Sequence, residues 1–490
     1  MSGASRTALF MSLPNFDRRY QVHKEMGSGI GFKSLRPRRE GAGERRVYPI
    51  AEIHYAAAIV REAGHKPIIE DDQYRDSVSR TEYKSELKAK NFLPDVIFLR
   101  TSLPTLLDDL AHVPIVREVY PGVPLHVFGP LFAASELVDF VAARRIYDGI
   151  ISSEIESVVN LILEDVDPIL VPGFHVLEKE KYLCAKPTRA LADVQNLPLP
   201  AYDLVDSSRI DRFIVHTSRG CPIGCNYCPY YLAQGPKFRA KTPERMVEEF
   251  QYLSETFHAR RITIHDPIFT LDNKRVRRFC ELLIEAELGV EWECESHMNH
   301  LDTELIRLMH KSGLRLLSFG VESSSGEVLK AAGRRFKDWD KIIENIECAR
   351  ALGVETRAYF ILALAQDTVT SAYATIRLAK RLNADKSKFN LPNPYPGTGA
   401  YEVALSEGWL DRDLYDNDRE AFYRGRGLHN RGEPSMTRHI SDRQARFLKR
   451  IAGHSLARSS DPRARLIGAA KIVAYKGVVH GLGALRRRSA

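Results

Sequence analysis

Two α/β units in tandem, closed by a helical basic region, are what this sequence of 490 residues predicts. Three observations carry that reading. Short apolar runs alternate with helical patterns over residues 1–165, a proline-punctuated stretch fills 166–212, and six more strand–helix alternations occupy 213–408. Residues 409–490 form the helical, basic extension.

In the first unit, Ala8–Leu13 reads as the opening strand. Ile50, Ile53, Ala57 and Val60 then recur at helical spacing, and Gly64 stands where a helix ends. Pro67–Glu70, Val96–Leu99, Leu125–Phe128 and Gly149–Ile151 supply four further strands. Helical stretches around Leu103–Leu110, Ser135–Ala143 and Ile155–Leu163 lie between or after them. This alternation predicts an open, doubly wound, flavodoxin-like parallel sheet with ligands at the C-terminal strand ends. Pro168, Pro172, Pro187, Pro198 and Pro200 mark 166–212 as a linker.

In the second unit, Phe213–Thr217 is the first strand. Thr242-Pro243-Glu244 starts a helix reaching about Phe257, with a hydroxyl cap, proline at the first position and an acid in the first turn. Arg261–His265, Val290–Cys294, Arg315–Phe319, the apolar run Ala358–Ala365 and Lys386–Leu391 are the other strands. Asp272 caps a helix whose buried stripe is Val276, Phe279, Leu282 and Leu283, and Thr303–Lys311 forms another.

Composition narrows the class. A hydrophobic content of 44% suits sizeable cores. No apolar run reaches the roughly 18–20 residues that span a bilayer, and the N-terminus lacks a signal-peptide apolar region. The expected compartment is the cytoplasm. The net charge of +8 resides in the tail: Ser441–Ala490 holds 12 Lys/Arg against Asp442 and Asp461. That argues against a nucleic-acid groove along the body. Leu466, Ile467, Ala470, Val473 and Ala474 could share one face of a tail helix, which gives peripheral membrane contact as a second expectation. The segment Gly27–Arg46 is glycine-rich and basic but lacks a phosphate-binding signature, so it reads as a substrate-side or solvated loop.

The chemistry is concentrated in Arg219–Tyr231, R-G-C-P-I-G-C-N-Y-C-P-Y-Y. Cys221, Cys225 and Cys228 form C-x3-C-x2-C, and Tyr227 precedes the third thiol. Three thiolates on one loop can hold a [4Fe–4S] cluster with one iron left open, whereas electron-transfer clusters usually take four cysteines. Zinc remains the alternative, with Cys184 or His216 as a fourth ligand, though no second distant cysteine pair is present. A disulfide framework does not suit seven cysteines in a chain of this size. Cys184, Cys280, Cys294 and Cys348 are scattered and read as ordinary thiols.

This loop, with its spacing and its aromatic residue, resembles the defining loop of the radical S-adenosylmethionine (radical SAM) superfamily. The resemblance implies a partial (β/α)6 barrel over residues 213–408, a [4Fe–4S] cluster on Cys221, Cys225 and Cys228, SAM on the open iron, and an external one-electron reductant of the flavodoxin or ferredoxin type. It places Asp266, after the second strand, near the SAM amino group, Glu322, in F-G-V-E-S, as a polar SAM contact, and Arg357 near the SAM carboxylate. P-N-P-Y-P-G-T (392–398) resembles the turn that closes such barrels. The fifth strand ends A-L-A-Q-D-T where relatives often show G-L-P-G-x-T, so glycine-dependent backbone approach is not expected there.

A doubly wound domain ahead of such a loop resembles the cobalamin-binding domain of cobalamin-dependent radical SAM methyltransferases. The D-x-H-x-x-G motif is absent, which excludes a histidine supplied to cobalt in that way, and F-G-P-L-F (128–132) and S-S-E (152–154) replace the glycine-rich turns frequent in that group. The leading expectation is cobalamin-dependent methylation of an unactivated carbon in a small molecule or lipid. A radical SAM cyclase, oxidase or rearrangement enzyme with a vestigial cobalamin domain is the second reading. A non-catalytic zinc protein that docks to membrane or nucleic acid is the third.

Overall fold

The computed structural model describes residues 4–14, 16, 20–24, 32–35, 48–73, 79–184, 186–335, 338–424 and 435–456. The loop 27–46 apart from its strand 32–35, most of the Arg-Gly run at 424–432 and the tail face at 466–474 lie outside the described residues.

The first unit contains β1 (Thr7–Ser12), β2 (Lys66–Asp71), β3 (Val96–Arg100), β4 (Leu125–Phe128) and β5 (Gly149–Ile151), all parallel. Their order is β2-β1-β3-β4-β5, the flavodoxin-like arrangement with its switch point beside β1. β1, β3, β4 and β5 are buried along nearly their whole length because helices cover both faces. One face packs Leu9, Met11, Leu99 and Val127 beneath helices that include α2 (Leu106–Val119). The other packs Phe10, Phe98 and Phe128 beneath α1 (Ala51–Glu62).

The segment expected to be a linker is partly strand. Its Phe174–Glu178 (β6) pairs antiparallel with β5 and then with Lys181–Leu183 (β7), extending the sheet to seven strands. Alternation of Phe174, Val176 and Tyr182 with polar neighbours is too short to stand out among prolines, and pairing to an existing edge supplies the missing stability.

The second unit has six parallel strands in sequential order: β8 (Phe213–Val215), β9 (Arg261–Ile264), β10 (Glu291–Ser296), β11 (Leu314–Glu322), β12 (Glu355–Ile361) and β13 (Lys386–Asn390). This is the half-open β/α barrel. Helices such as Pro243–Phe257 and Asn273–Glu285 cover its outside, their caps being Thr242 and Asp272 as the sequence predicts. The C-terminal helix Asp442–Leu456 packs Ala445, Leu448 and Ala452 into the same core.

The two units are joined by buried polar contacts as well as apolar ones. Lys241 Nζ lies 2.6 Å from Glu249 Oε2 and 3.1 Å from the hydroxyl of Tyr55 on α1, and both charged side chains are fully buried. No helix among the described residues is long and apolar enough to cross a membrane.

Candidate active site

β8 runs directly into the cysteine loop. Arg219 pairs with Arg239 in a two-residue antiparallel ladder, and Cys221 N–H donates to Gly235 O at 3.1 Å, which folds the loop back on itself. Gly220 makes this possible: its φ is +85°, and an added Cβ would meet Lys237 O at 2.0 Å. Asn226 ties the loop to the barrel. Its N–H donates to Ala332 O at 3.1 Å, its side-chain amide to Ala331 O at 3.0 Å, and its carbonyl accepts from Ala400 N–H at 3.0 Å. The last bond joins the loop to the helix that follows the P-N-P-Y-P-G-T turn.

The three cysteines border one cavity of about 160 Å³, together with Tyr227, Tyr230, Glu295, His297, Gly320, Glu322, Arg334 and Tyr359. Burial pushes the Cys228 thiol up to about 12 and raises Cys221 in the same direction. Thiolates at this depth therefore need cationic partners. Arg334 is one: Nη1 is 3.9 Å from Cys225 Sγ and 3.8 Å from Glu322 Oε1, while Nη2 donates to Gly320 O at 2.6 Å. Iron is the other partner that the donor set fits. Among the described residues, no three His, Cys, Asp or Glu side chains converge closely enough for a single ion. Three thiols bordering one cavity are the donor set that a cluster with one open iron would use.

Glu322 sits at the end of β11 with φ +64°, where the register to β12 shifts between Gly320 and Glu322. This left-handed backbone turns its carboxyl into the cavity. Burial raises its pKa against the opposing effect of Arg334. Across the cavity Glu295, at the end of β10, is also raised by burial; Tyr230 Oη lies 3.4 Å from its carboxylate and 3.2 Å from His265 Nε2.

Of the residues singled out from sequence, the structure brings together Cys221, Cys225, Cys228, Tyr227 and Glu322. It does not bring the other two to the cavity. Asp266 is fully buried beneath the loop, accepting from Thr217 N–H (2.8 Å), Thr217 Oγ1 (2.5 Å) and Ser218 Oγ (2.6 Å), with Arg275 3.7 Å away. It locks β8 to β9, and its neighbours Pro267 and Ile268 line the cavity instead. Arg357 lies on β12, 2.7 Å from Glu355, outside the lining. Tyr359, two residues on, is the β12 side chain that faces in.

Glu295, Arg334 and Tyr359 were not legible as site residues. Glu295 did carry a signal, an acid at a barrel strand end. Arg334 carried none, since only the fold of the segment after β11 takes it to Cys225.

The fifth strand end forms a left-handed turn without glycine. Ala363 and Gln366 adopt φ of +64° and +66°, at the two positions where relatives often carry glycine. The turn is imposed from outside: Ala363 N–H donates to Asp367 Oδ2 at 2.8 Å and Ala363 O accepts from Met436 N–H at 2.9 Å.

Residues 215–379 match the radical SAM superfamily. Among curated relatives, an uncharacterized methyltransferase of Pyrococcus horikoshii is 25% identical over 371 residues, covering 74% of this chain and 80% of that one. The bacteriochlorophyllide d C-12(1)-methyltransferase of Chlorobaculum tepidum is 28% identical over 207 residues, 41% of this chain and 44% of its own length. Among solved structures, the radical SAM methyltransferase TsrM of Kitasatospora setae, with cobalamin and a [4Fe–4S] cluster bound, superposes with TM-score 0.63 at 14% identity over 82% of this chain and 78% of that one. The cobalamin-dependent radical SAM enzyme OxsB superposes with TM-score 0.58 at 16% identity, covering 89% of this chain and 58% of its own. At these identities the superpositions establish the fold. Residues 215–379 are thus similar to the radical SAM superfamily, and the fold, a doubly wound sheet ahead of a half-open barrel, is the one seen in these cobalamin-dependent radical SAM structures.

Proposed function

We propose that this enzyme uses a [4Fe–4S] cluster on Cys221, Cys225 and Cys228 for cobalamin-dependent methylation of an unactivated carbon in a small molecule or lipid. The observation that carries the reading is the single cavity shared by the three thiols, Glu322 and Arg334. When bound, the cluster supplies the electron that cleaves SAM to methionine and a 5′-deoxyadenosyl radical, and cobalamin supplies the methyl-transfer chemistry.

The residues of this chain bind and orient. Arg334 offers a fixed guanidinium for a carboxylate, and Glu322 an acid for the ammonium or ribose of SAM. Tyr227, Tyr230, Phe319 and Tyr359 wall the cavity, which helps keep water from a reactive radical. The polar crest of the first unit suits a cofactor with a nucleotide tail: Ser12 ends β1, and Thr101 and Ser102 follow β3, at the strand ends where a doubly wound sheet binds ligands. The Ser12 hydroxyl is fully buried with no hydrogen-bond partner among the described residues, a group that a bound tail would satisfy. An external one-electron donor is required to reduce the cluster.

Anaerobic reconstitution with iron, sulfide and hydroxocobalamin tests the reading. We expect a reduced-cluster EPR signal, saturable cobalamin binding and 5′-deoxyadenosine from SAM, with Cys225→Ala losing the nucleoside product. Zinc in place of iron would overturn the cluster. A cluster without cobalamin binding would favour the second reading, cyclisation or oxidation. That reading has its own support in an anaerobic magnesium-protoporphyrin IX monomethyl ester cyclase of Rubrivivax gelatinosus, 22% identical over 72% of this chain.

A further inference from the structure

Arg219 and Arg239 stand opposite each other in the short ladder at the base of the cluster loop. Like charges directly opposed in a ladder repel. A third group holds them together, and it comes from the other unit. Glu154, three residues beyond β5, reaches Arg239 with both oxygens (2.7 and 2.9 Å) and Arg219 Nη1 at 3.2 Å. Its carboxylate also accepts from Ala192 N–H at 2.7 Å. Arg219 Nη2 is bound in addition by Glu156 at 2.6 Å. All four charged side chains are at most 13% exposed, so water does little to screen them.

The far end of the loop is tied to the same place. Arg189 donates to Ser152 O, beside β5, and to Leu232 O and Ala233 O (3.1 and 2.8 Å) at the end of the short helix after Cys228. Residues 152–156 thus hold both the entrance and the exit of the cluster loop. They also form the strand end at which a doubly wound sheet meets its ligand.

We infer that Glu154 is a positioning residue: by clamping Arg219 to Arg239 it fixes the cluster loop against the ligand-bearing edge of the N-terminal sheet and conveys the state of that edge to the loop. The functional part of this inference rests on the cobalamin-dependent reading, while the clamp itself stands on the geometry alone.

Hydrogen exchange on Glu154→Gln, which keeps shape and loses charge, tests the clamp in the full-length protein without any cofactor. Amides of 219–235 are expected to exchange about tenfold faster, within the ordinary range of coupling between sites, while those of β10–β12 keep their protection. Glu154→Asp is expected to recover part of the effect. Unchanged exchange over 219–235 would overturn the clamp. If β10–β12 also lose protection, the role is general folding, and the inference fails too.

Hydroxocobalamin then tests the conveyance. In the wild-type protein it is expected to slow exchange both at residues 100–102 and 152–154 and in the cluster loop. In Glu154→Gln it should slow only the former. Protection of the loop that persists in the variant would refute the conveyance. Absence of any cobalamin effect in the wild type would refute the cobalamin-dependent reading and the conveyance with it, leaving the clamp to the cofactor-free comparison. With the cluster reconstituted, the SAM-induced change in its EPR signal is expected to need about tenfold more SAM in Glu154→Gln, at unchanged iron content. An unchanged SAM titration would count against a positioning role.

Discussion

At the scale of single residues, the left-handed turn after the fifth barrel strand shows how tertiary contacts override local preference. A left-handed backbone costs a residue other than glycine about 1–2 kcal/mol. Gln366 is exposed, so Gln366→Gly relieves that cost with little lost contact. It should stabilise the protein by about 1 kcal/mol, read as a higher denaturation midpoint in guanidinium. Ala363 is fully buried; Ala363→Gly loses a packed methyl worth about 0.8 kcal/mol and should be near neutral. Glu154 gives a pH-dependent counterpart. Burial alone would raise its pKa, but Arg219 and Arg239 outweigh it and hold the carboxyl at about 2, below its ordinary 4.5. Its contribution, about 3 kcal/mol, is complete above pH 4.5 and is lost as pH falls through about 2. Chemical denaturation between pH 5 and pH 2 should therefore show a steeper loss of stability in the wild type than in Glu154→Gln.

At the scale of elements, Asp266 distinguishes a cofactor contact from a fold contact. A strand-end acid in this superfamily is an obvious candidate for SAM, yet here the carboxylate receives three hydrogen bonds from Thr217 and Ser218 and faces Arg275. Asp266→Asn should lower unfolding stability by about 3 kcal/mol, as expected for breaking a buried charge pair, while the folded fraction binds SAM with little change. A weakened SAM affinity at unchanged thermal midpoint would show instead that Asp266 contacts the cosubstrate. Much of the element plan is readable in the sequence. Hydrophobic periodicity located five strands of the first sheet and six of the barrel because most of them bury apolar residues of their own. It missed β6 and β7, whose stability comes from pairing to β5 rather than from their own apolar content.

At the scale of the whole molecule, the units meet where a buried charge pair of the second, Lys241–Glu249, binds the Tyr55 hydroxyl of the first. Lys241→Met leaves Glu249 as an unpaired buried anion and should cost about 3–5 kcal/mol. Lys241→Met with Glu249→Leu should recover much of that loss, leaving the Tyr55 hydroxyl to be satisfied. Differential scanning calorimetry of both variants checks the pair. A double variant no more stable than the single one would show that Tyr55 and its hydrogen bonds, rather than the charges, hold the junction.

Local sequence encodes the cysteine loop and the strand–helix repetition around it. Three cysteines within eight residues are a local code: wherever the loop goes, the thiols go together. Strand and helix periods are local in the same sense. Which groups face those thiols was decided only by tertiary structure. Asp266, Glu295 and Glu322 all stand at barrel strand ends, and their spacing gives no way to rank them; the register shift and left-handed backbone at Glu322 turn its carboxyl inward, while Thr217 and Ser218 draw that of Asp266 beneath the loop. Arg334 reaches Cys225 across 109 residues of chain, and Glu154 reaches Arg219 across 65. Such contacts depend on packed elements holding a geometry fixed, which no stretch of sequence encodes alone.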